Sequence, residues 1–342
     1  MSTMRQVAAM AGVSAKTVSR VLRNDRYVSD DVRLRVERAV AELQYVPNVM
    51  ARTFRSGSDN AIGLAVPDIS DPFFAALAHA VEAVARSRES AVIVTSLGTD
   101  GARERAGVEA LLGRRLAGLI TTPVSGDQRY LEPWLSRMAI VFVDRPPRGI
   151  KADSVIEDDV GGAREATAHL LSHGHRRIAF IGDDLEIATT ARRLKGYRAA
   201  LAVEGIPLER DLVRLEAEGE TSSAELTLEL LKTPDPPTAI FSSNARCSVG
   251  VVPALHSADR TDVSVISFGD FPLAGLLQPP LTVVDQDPAG LGFVAATRLF
   301  ERLDRPGRRL KRQVVLPVGL VIRGSCAAGV PDDVQDVHSR PA

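Results

Sequence analysis

The amino-terminal apolar residues fall into two short stripes, and one glycine separates them. In "MRQVAAMAGVSAKTVSRVL" (4–22), the spacing does not continue as a single amphipathic helix, because Gly12 interrupts it. Thr3 and Gln6 match a capping box, which predicts a first helix over residues 4–10. Gly12 readily adopts the left-handed conformation that ends a helix.

A second short helix is predicted over residues 15–23, with Ser14 as its N-cap. Small residues on the first helix allow the two helices to cross closely at a steep angle. The predicted core positions of this pair are Val7, Ala8, Ala11, Val13, Val18 and Val21. A helix–turn–helix of this kind places the first side chains of its second helix in a DNA major groove.

A third helix is predicted in "VSDDVRLRVERAVAELQYVPN" (28–48), starting at Ser29 with two acidic residues in its first turn. Its apolar residues recur at helical spacing and close a three-helix core; they are Val32, Val36, Val40 and Leu43. The following "NVMARTFRSG" (48–57) has little apolar surface and is predicted to be helical only when another structure holds it.

From Ser58 onward, short apolar runs alternate with helical patterns. The runs are rich in Val, Ile and Phe and fit strands buried on both faces of a parallel sheet. They lie at 61–68, 91–96, 116–123, 139–144, 154–158, 177–182, 238–243, 262–270 and 281–286. The helical patterns lie at 73–87, 102–113, 160–173, 190–204, 222–232 and 246–257. The alternation predicts a doubly wound α/β fold in two lobes, with a cleft at the carboxyl ends of the strands.

Composition agrees with a multidomain globular protein. The 342 residues exceed one compact core, and 45% hydrophobic and 25% charged residues are ordinary values. No uncharged apolar run is long enough for a membrane span, and the start lacks the apolar region of a signal peptide. Cys247 and Cys326 do not form a disulfide framework. We therefore expect a cytoplasmic protein, and DNA binding by the predicted helix–turn–helix would associate it with the nucleoid.

Charge is distributed unevenly along the chain. Residues 1–57 hold ten Lys and Arg against five Asp and Glu, whereas the whole chain has a net charge of −1. The head is therefore +5 and the remainder −6. This asymmetry favours a polyanionic partner for the head alone.

The sequence resembles the lactose/galactose repressor (LacI/GalR) family of bacterial transcription regulators. The resemblance lies in "VAAMAGVSAKTVSRVLRN", in "VSDDVRLRVERAVAELQYVPN" with "ARTFRSG", and in further matches as far as about residue 326. It implies a homodimer that binds a pseudo-palindromic operator in double-stranded DNA and responds to a small effector.

The exposed side of the second helix is predicted to read DNA. Arg20 can bridge guanine O6 and N7, Lys16 can reach a base edge or a phosphate, and Ala15 can touch a thymine methyl. Thr17 and Ser19 are better placed for phosphates. The complete set of predicted DNA-binding residues is Thr3, Ser14, Ala15, Lys16, Thr17, Ser19, Arg20, Asn24, Tyr45, Asn48, Ala51, Phe54 and Arg55. The alternative is a helical hairpin with solvated basic ends.

The resemblance implies that residues 48–56 form a hinge helix, ordered on operator DNA. Phe54 matches the family's leucine, which wedges into the minor groove, and a bulky apolar side chain can unstack and kink a base step. The alternative is that Phe54 packs on the core domain.

The resemblance also implies a type I periplasmic-binding-protein-like core. The predicted domains are a head at 1–46, a hinge at 47–58, a core at 59–326 and a disordered tail at 327–342. Within the core, lobe 1 takes about 59–158 and 287–318, and lobe 2 takes about 160–284 and 319–326. The chain is expected to cross between lobes near 157–161, 285–288 and 317–320. The tail lacks leucine heptads, so we expect a dimer.

The cleft is the predicted effector site. Arg193, in "RRLKGYRAAL", matches the family's ligand-binding arginine; the alternative is an ion pair that stabilises the lobe. Phe73 or Phe74 offers an apolar wall. The complete set of predicted effector-binding residues is Asp71, Phe73, Phe74, Asp144, Arg145, Asp158, Arg193, Asn244, Ala245, Asp270 and Gln286.

Two positions depart from the family pattern. Asn244–Ala245 stands where the family has asparagine–aspartate, and Phe268–Gly269 lacks the aspartate that follows the aromatic residue. A buried hydroxyl without an acceptor costs about 1–3 kcal/mol, so these losses weaken the case for a neutral sugar. A sugar phosphate or sugar acid, with Arg145 and Arg193 as counter-charges, gains weight. Loss of effector control is the alternative.

Other functions find less support in the sequence. No nucleophile elbow, phosphate-binding loop or dinucleotide fingerprint is present, so we expect no enzyme, no cofactor and no metal. The spacing of His169, His173 and His175 matches a helix-to-strand turn and predicts a structural role. A solute-binding protein of a transport system is the rival, and the basic head disfavours it.

Overall fold

A computed structural model describes residues 2–22, 25–45, 61–98, 100–124, 126–215, 217 and 219–326. The chain divides into two compact units, Met1–Asp59 and Asn60–Ala342. The predictions for the hinge at 47–58, for the tail at 327–342 and for Asn24 lie outside the described residues.

The first unit contains the three predicted helices: α1 (Met4–Ala11), α2 (Ala15–Val21) and α3 (Asp30–Glu42). The capping box of Thr3 and Gln6 is present, and Gly12 ends α1 at φ 65°. Ser14 caps α2 by accepting from the Thr17 N–H. Ser29 precedes α3 without a side-chain capping bond.

The three helices share one apolar core, as predicted. Its buried members are Val7, Ala8, Ala11, Val18, Val21, Val36, Ala39 and Tyr45. Val13, Val32, Val40 and Leu43 are partly buried against it. The helix–turn–helix prediction is therefore confirmed within the described residues.

The second unit contains two six-stranded sheets, which confirms the doubly wound α/β fold in two lobes. The sheet of lobe 1 has the order β11-β5-β4-β3-β1-β2, and every neighbouring pair is parallel. Its strands are β1 (Ala61–Val66), β2 (Ala91–Ser96), β3 (Gly118–Thr121), β4 (Ala139–Val143), β5 (Asp153–Glu157) and β11 (Gln313–Leu316).

The sheet of lobe 2 has the order β12-β10-β9-β8-β6-β7, and only β12 runs antiparallel to its neighbour. Its strands are β6 (Ile178–Ile181), β7 (Val213–Arg214), β8 (Ala239–Ser242), β9 (Ser264–Phe268), β10 (Thr282–Asp285) and β12 (Gly319–Val321).

Helices cover both sheets. In lobe 1 they are α4 (Pro72–Ser87), α5 (Gly101–Leu112), the single turn α6 (Glu132–Leu135) and α11 (Pro288–Asp304). In lobe 2 they are α7 (Asp159–Ser172), α8 (Ala188–Val203), α9 (Glu220–Leu231) and α10 (Ala245–Ser257). Gly196 on α8 faces the backbone of α7, where a Cβ would overlap the carbonyl oxygen of Val160, so the close packing of these helices requires glycine.

The chain passes between the sheets three times, within 157–159, 285–288 and 316–319. Neither α11 nor β11 and β12 was predicted from the hydrophobic pattern. α11 packs on α4 in the core of lobe 1, although in sequence it follows β10, a strand of lobe 2. The three connections make lobe 1 discontinuous in sequence, so β11 lies beside β5 at the end of the first sheet.

Candidate functional site

The amino-terminal end of α2 presents polar and small side chains on the surface of the first unit. Ala15, Lys16 and Arg20 are exposed, and Thr17 and Ser19 are half-buried. Val18 and Val21, on the other side of the helix, are buried in the core. One face of α2 is therefore free to contact a partner, as the sequence predicted.

Arg20 is held by an ion pair on this exposed face. Its Nε lies 2.9 Å from Asp25 Oδ2. The backbone N–H of Tyr27 and the guanidinium of Arg20 together lower the pKa of Asp25. Asp25 therefore stays ionised and orients Arg20 beside the exposed end of α2.

The remaining predicted DNA-binding residues have different positions. Thr3 is exposed and caps α1, and Ser14 caps α2. Tyr45, three residues after α3 ends, is only 8% exposed and packs in the core of the head. Its position supports a packing role. Asn24, Asn48, Ala51, Phe54 and Arg55 lie outside the described residues.

A cavity of about 970 Å³ lies between the two lobes, a size typical of small-molecule sites. The structure brings nine of the eleven predicted effector-binding residues to its wall. From lobe 1 and the crossing strands these are Asp71, Phe73, Phe74, Asp144, Arg145 and Gln286, and from lobe 2 they are Arg193, Asn244 and Ala245. Their role in binding a ligand stays a prediction.

The other two predicted residues, Asp158 and Asp270, are not among the residues that line this cavity. Asp158 is exposed and caps α7 by accepting from the Gly161 N–H. Asp270 is exposed and pairs with Arg323 at 2.5 Å. Both residues follow a strand, and each carboxylate bonds a nearby partner.

Arg193 lies at the cavity and also forms the ion pair that the sequence offered as the alternative. It lines the cavity, yet its Nε donates to Asp159 Oδ1 at 2.9 Å and its Nη1 donates to the Ser243 carbonyl at 2.7 Å. Its guanidinium carbon lies 3.8 Å from the centre of the Phe268 ring. Burial raises the pKa of Asp159 to about 6, against the lowering effect of Arg193. The arginine is thus fixed before any ligand enters.

A second arginine is fixed on the opposite lobe. Asp144 follows β4 in a left-handed conformation, with φ 66°, and its carboxylate lies 3.3 Å from Arg145 Nε. Arg145 also donates to the Pro123 carbonyl at 3.1 Å. Burial raises the pKa of Asp144, so a ligand hydroxyl or cation that bonds this carboxylate would relieve part of its desolvation.

Sequence reasoning missed a third pair in the cavity. Arg246, in the first turn of α10, donates to Asp183 Oδ1 at 2.8 Å. Asn244 donates to the other oxygen of Asp183 at 2.9 Å. Both Asp183 and Arg246 line the cavity. Their positions in the sequence could have indicated the cleft, because Asp183 follows a predicted strand and Arg246 lies two residues after Asn244.

The two positions that depart from the family pattern are neighbours in space. A Cβ built on Gly269 would lie 3.6 Å from the Ala245 Cβ and 2.9 Å from Gln286 Oε1. Gly269 has φ 95°, which disfavours other residues. The two positions without a carboxylate therefore lie together next to Gln286, and the carboxylate of Asp183, which accepts from Asn244, lines the same cavity.

Glu157 joins two of the crossings between the lobes. It ends β5, and its carboxylate accepts from the side-chain amide of Gln286 and, at 3.0 Å, from the Asp287 N–H. Gln286 also lines the cavity. Burial raises the pKa of Glu157 to about 7. A ligand that contacts Gln286 would therefore be one hydrogen bond away from Glu157, where two of the crossings between the lobes meet.

We predict that Glu157→Gln flattens the pH dependence of stability. The pKa of Glu157 is raised from 4.5 to about 7 on folding. The contribution of this group to the free energy of unfolding is therefore fully present below pH 4.5 and is lost as the pH rises through 7. The variant should be more stable than wild type at pH 8 by about 2 kcal/mol, after subtracting about one hydrogen bond. Denaturant unfolding of both proteins at pH 5.5 and pH 8 measures the difference in their free energies of unfolding and its change with pH.

Glu165→Gln, on the exposed side of α7, is the matched control and should leave the pH dependence unchanged. A Glu157→Gln protein that is less stable than wild type at pH 8, with the wild-type pH dependence, would contradict the assignment.

The three histidines in the last turn of α7 and in the segment that leads into β6 contact other side chains of the fold. His175 contacts the hydroxyls of Thr238 and Ser264 at 2.9 and 3.0 Å through its two ring nitrogens. His169 and His173 stack edge to face at 4.7 Å. In the described part of the chain, no group of three acidic, histidine or cysteine side chains is arranged to hold a metal ion. No helix among the described residues is long and apolar enough to span a membrane.

Two family models match the chain. Residues 3–48 match the model described as bacterial regulatory proteins, lacI family. Residues 167–326 match the model described as periplasmic binding protein-like domain. The first match covers the three-helix unit, and the second covers much of lobe 2 with the last crossings.

Known proteins resemble the chain over nearly its whole length. The ribose operon repressor of Escherichia coli K12 is 31% identical over 331 residues, which cover 95% of this chain and 100% of the relative. The HTH-type transcriptional regulator DegA of Bacillus subtilis is 34% identical over 95% of this chain and 98% of its own length. A crystal structure of the lac repressor dimer bound to operator and the anti-inducer ONPF superposes with a TM-score of 0.85, at 28% identity over 96% of this chain and 99% of that chain.

Proposed function

The chain belongs to the lacI family of bacterial regulatory proteins, and from this membership we propose that it is an effector-controlled transcriptional repressor. As a homodimer, it binds a pseudo-palindromic operator through α2 of each protomer. A small molecule in the cleft between the lobes sets its affinity for that operator. The chain is not an enzyme, since its full-length relatives are regulators.

One observation carries this proposal: a DNA-reading helix face and a ligand-sized cleft occur in one chain. The exposed residues of α2 supply major-groove contacts. The cavity has fixed donors and acceptors from both lobes, so a ligand that bridges them changes the lobe orientation. A solute-binding protein requires the cleft but not the helix–turn–helix.

The effector is proposed to be a sugar, a sugar phosphate or a sugar acid. Three arginine–aspartate pairs at the cavity offer fixed donors beside carboxylate acceptors, as hydroxyl-rich ligands require. Phe73 and Phe74 supply an apolar wall with their rings 5.1 Å apart. The absence of the two family carboxylates at Ala245 and Gly269 favours a ligand that has its own anionic group.

The remaining features of the proposal follow from the family. We propose domain boundaries at 46, 58 and 326. We also propose a hinge helix that inserts Phe54 into the minor groove. The protein is proposed to act in the cytoplasm on the nucleoid. The lac repressor structure, a dimer bound to operator, supports the dimeric form.

Selection from sheared chromosomal DNA at about 0.15 M salt, a condition that screens most non-specific contacts, tests the proposed function. Bound fragments should share an inverted repeat whose half-sites lie about one helical turn apart. Recovery of fragments without any shared sequence would contradict the assignment. A thermal-shift screen of sugars, sugar phosphates and sugar acids then identifies the effector, and the absence of any hit with an intact operator would support lost effector control.

A further inference from the structure

The amino ends of all six strands of lobe 1 lie at one edge of its sheet. Every neighbouring pair is parallel, and Ala61 at the start of β1 is in register with Ala91 at the start of β2. Gln313 at the start of β11 lies beside Ser154 near the start of β5. The segments that lead into these strands therefore lie side by side along this edge. β1 is the first element of the second unit, so the first strand of that unit begins at this edge with Ala61.

This edge is strongly basic. The segments between the preceding helices or turns and β2, β3, β4, β5 and β11 are 88–90, 113–117, 136–138, 151–152 and 305–312. They carry ten cationic side chains and one acidic side chain, Glu89, although the whole chain has a net charge of −1. All ten are exposed, and we name them the basic edge: Arg88, Arg114, Arg115, Arg137, Lys151, Arg305, Arg308, Arg309, Lys311 and Arg312.

Neighbouring acids neutralise only part of the basic edge. Arg88 lies 2.9 Å from Asp304, and Arg308 lies 3.5 Å from Glu301. Arg309, Lys311 and Arg312 form none of the side-chain ion pairs found among the described residues near this segment. These three cations are concentrated in the segment that leads into β11.

Helix dipoles do not explain the basic edge. Cations are favoured at helix carboxyl ends, and the strands of both lobes are entered from such ends. The corresponding segments of lobe 2 (173–177, 204–212, 232–238, 258–263 and 277–281) hold five cations and six acids. The same topology therefore has a slightly negative edge in lobe 2, so the charge of lobe 1 requires a separate reason.

We propose that the basic edge is a second DNA-binding surface, which contacts the phosphate backbone of DNA flanking the operator. Six strands about 4.8 Å apart make an edge about 24 Å wide, which matches about seven phosphates along one strand. Because the head is covalently linked to the chain that starts β1 at this edge, DNA that the head holds is a polyanion tethered to the second unit, which raises its local concentration. This inference rests on the proposed function, because it requires operator binding by the head.

The salt dependence of binding tests the proposal. Operator affinity is measured from about 50 to 200 mM salt on a duplex of about 20 bp, which holds only the two half-sites, and on one of about 50 bp with flanks. The edge variant carries Arg309→Gln, Lys311→Gln and Arg312→Gln. The control variant carries Lys195→Gln, Arg198→Gln and Lys232→Gln, three exposed cations of lobe 2. Both variants lose the same charge.

On the long duplex, the edge variant should show a slope of log K against log salt that is shallower by about 2–3 per protomer, since each lost phosphate contact contributes about 0.9. On the short duplex, its slope should match that of wild type, and the control variant should match wild type on both. Equal slopes for the edge variant and wild type on the long duplex would overturn the inference, and so would an equal change in the control. Failure of wild type to bind either duplex would instead overturn the proposed function.

Discussion

Arg193→Ala is expected to abolish effector binding and to destabilise the α/β unit by about 3 kcal/mol. The substitution leaves Asp159, which is 1% exposed, without its nearest guanidinium. Removing one partner of a buried ion pair costs about 3–5 kcal/mol. The lower value applies because Arg192 remains 3.2 Å from the same carboxylate. The cavity also loses the donor that Ser243 and the Phe268 ring hold in place.

The measurement is a thermal shift of the folded variant with the ligand that stabilises wild type. Arg192→Ala is the matched control, because Arg192 pairs with Asp159 but does not line the cavity. It should lose stability and keep the ligand-induced shift. Operator affinity without ligand should be unchanged in both variants. A wild-type ligand shift in Arg193→Ala, or its loss in Arg192→Ala, would remove Arg193 from the binding site.

Arg20→Ala is expected to weaken operator binding by about 1–3 kcal/mol and to relax the preference for one base pair in each half-site. Arg20 lies on the exposed face of α2 and is oriented by Asp25. A bidentate contact to guanine explains both effects, whereas a phosphate contact would weaken all operator variants equally. Competition binding against operators changed at single base pairs separates the two cases.

Arg38→Ala, an exposed arginine on α3, is the control for charge. It should reduce affinity slightly and uniformly across the operator variants. If Arg20→Ala behaves in the same uniform way, the assignment of Arg20 as a base-reading residue is incorrect.

The head could be predicted from local rules. Thr3, Gly12 and Ser14 act through capping and a left-handed turn, which depend on residues within four positions of one another. Most strands could also be predicted from the sequence, because short continuous runs of Val, Ile and Phe are typical of strands buried in a parallel sheet. The packing of the head, with Tyr45 in its core, depends on how the end of α3 meets the other helices.

The cleft was predicted less completely, because its geometry depends on contacts distant in sequence. Asp158 and Asp159 are adjacent acids, and only the start of α7 decides which of them turns inward to Arg193. Asp270 is turned away by Arg323, 53 residues later. Such pairings leave no periodic signal in the sequence.

α11 was missed for a related reason. Its segment "PAGLGFVAATRLFERLD" contains Gly290 and Gly292, which weaken a helical prediction. Gly292 is needed there, because a Cβ would overlap the carbonyl oxygen of Leu77 on α4. Tertiary packing therefore selects a residue that local propensity disfavours.

The most direct test of the account is the affinity for the selected operator, measured with and without the ligand that stabilises the protein. We expect saturating ligand to change that affinity by about 5- to 150-fold, a coupling of about 1–3 kcal/mol, and operator to change ligand affinity by the same factor. Weaker binding identifies an inducer, and tighter binding identifies a corepressor. A ligand that occupies the cleft but leaves the operator affinity unchanged would contradict the coupling between the two units.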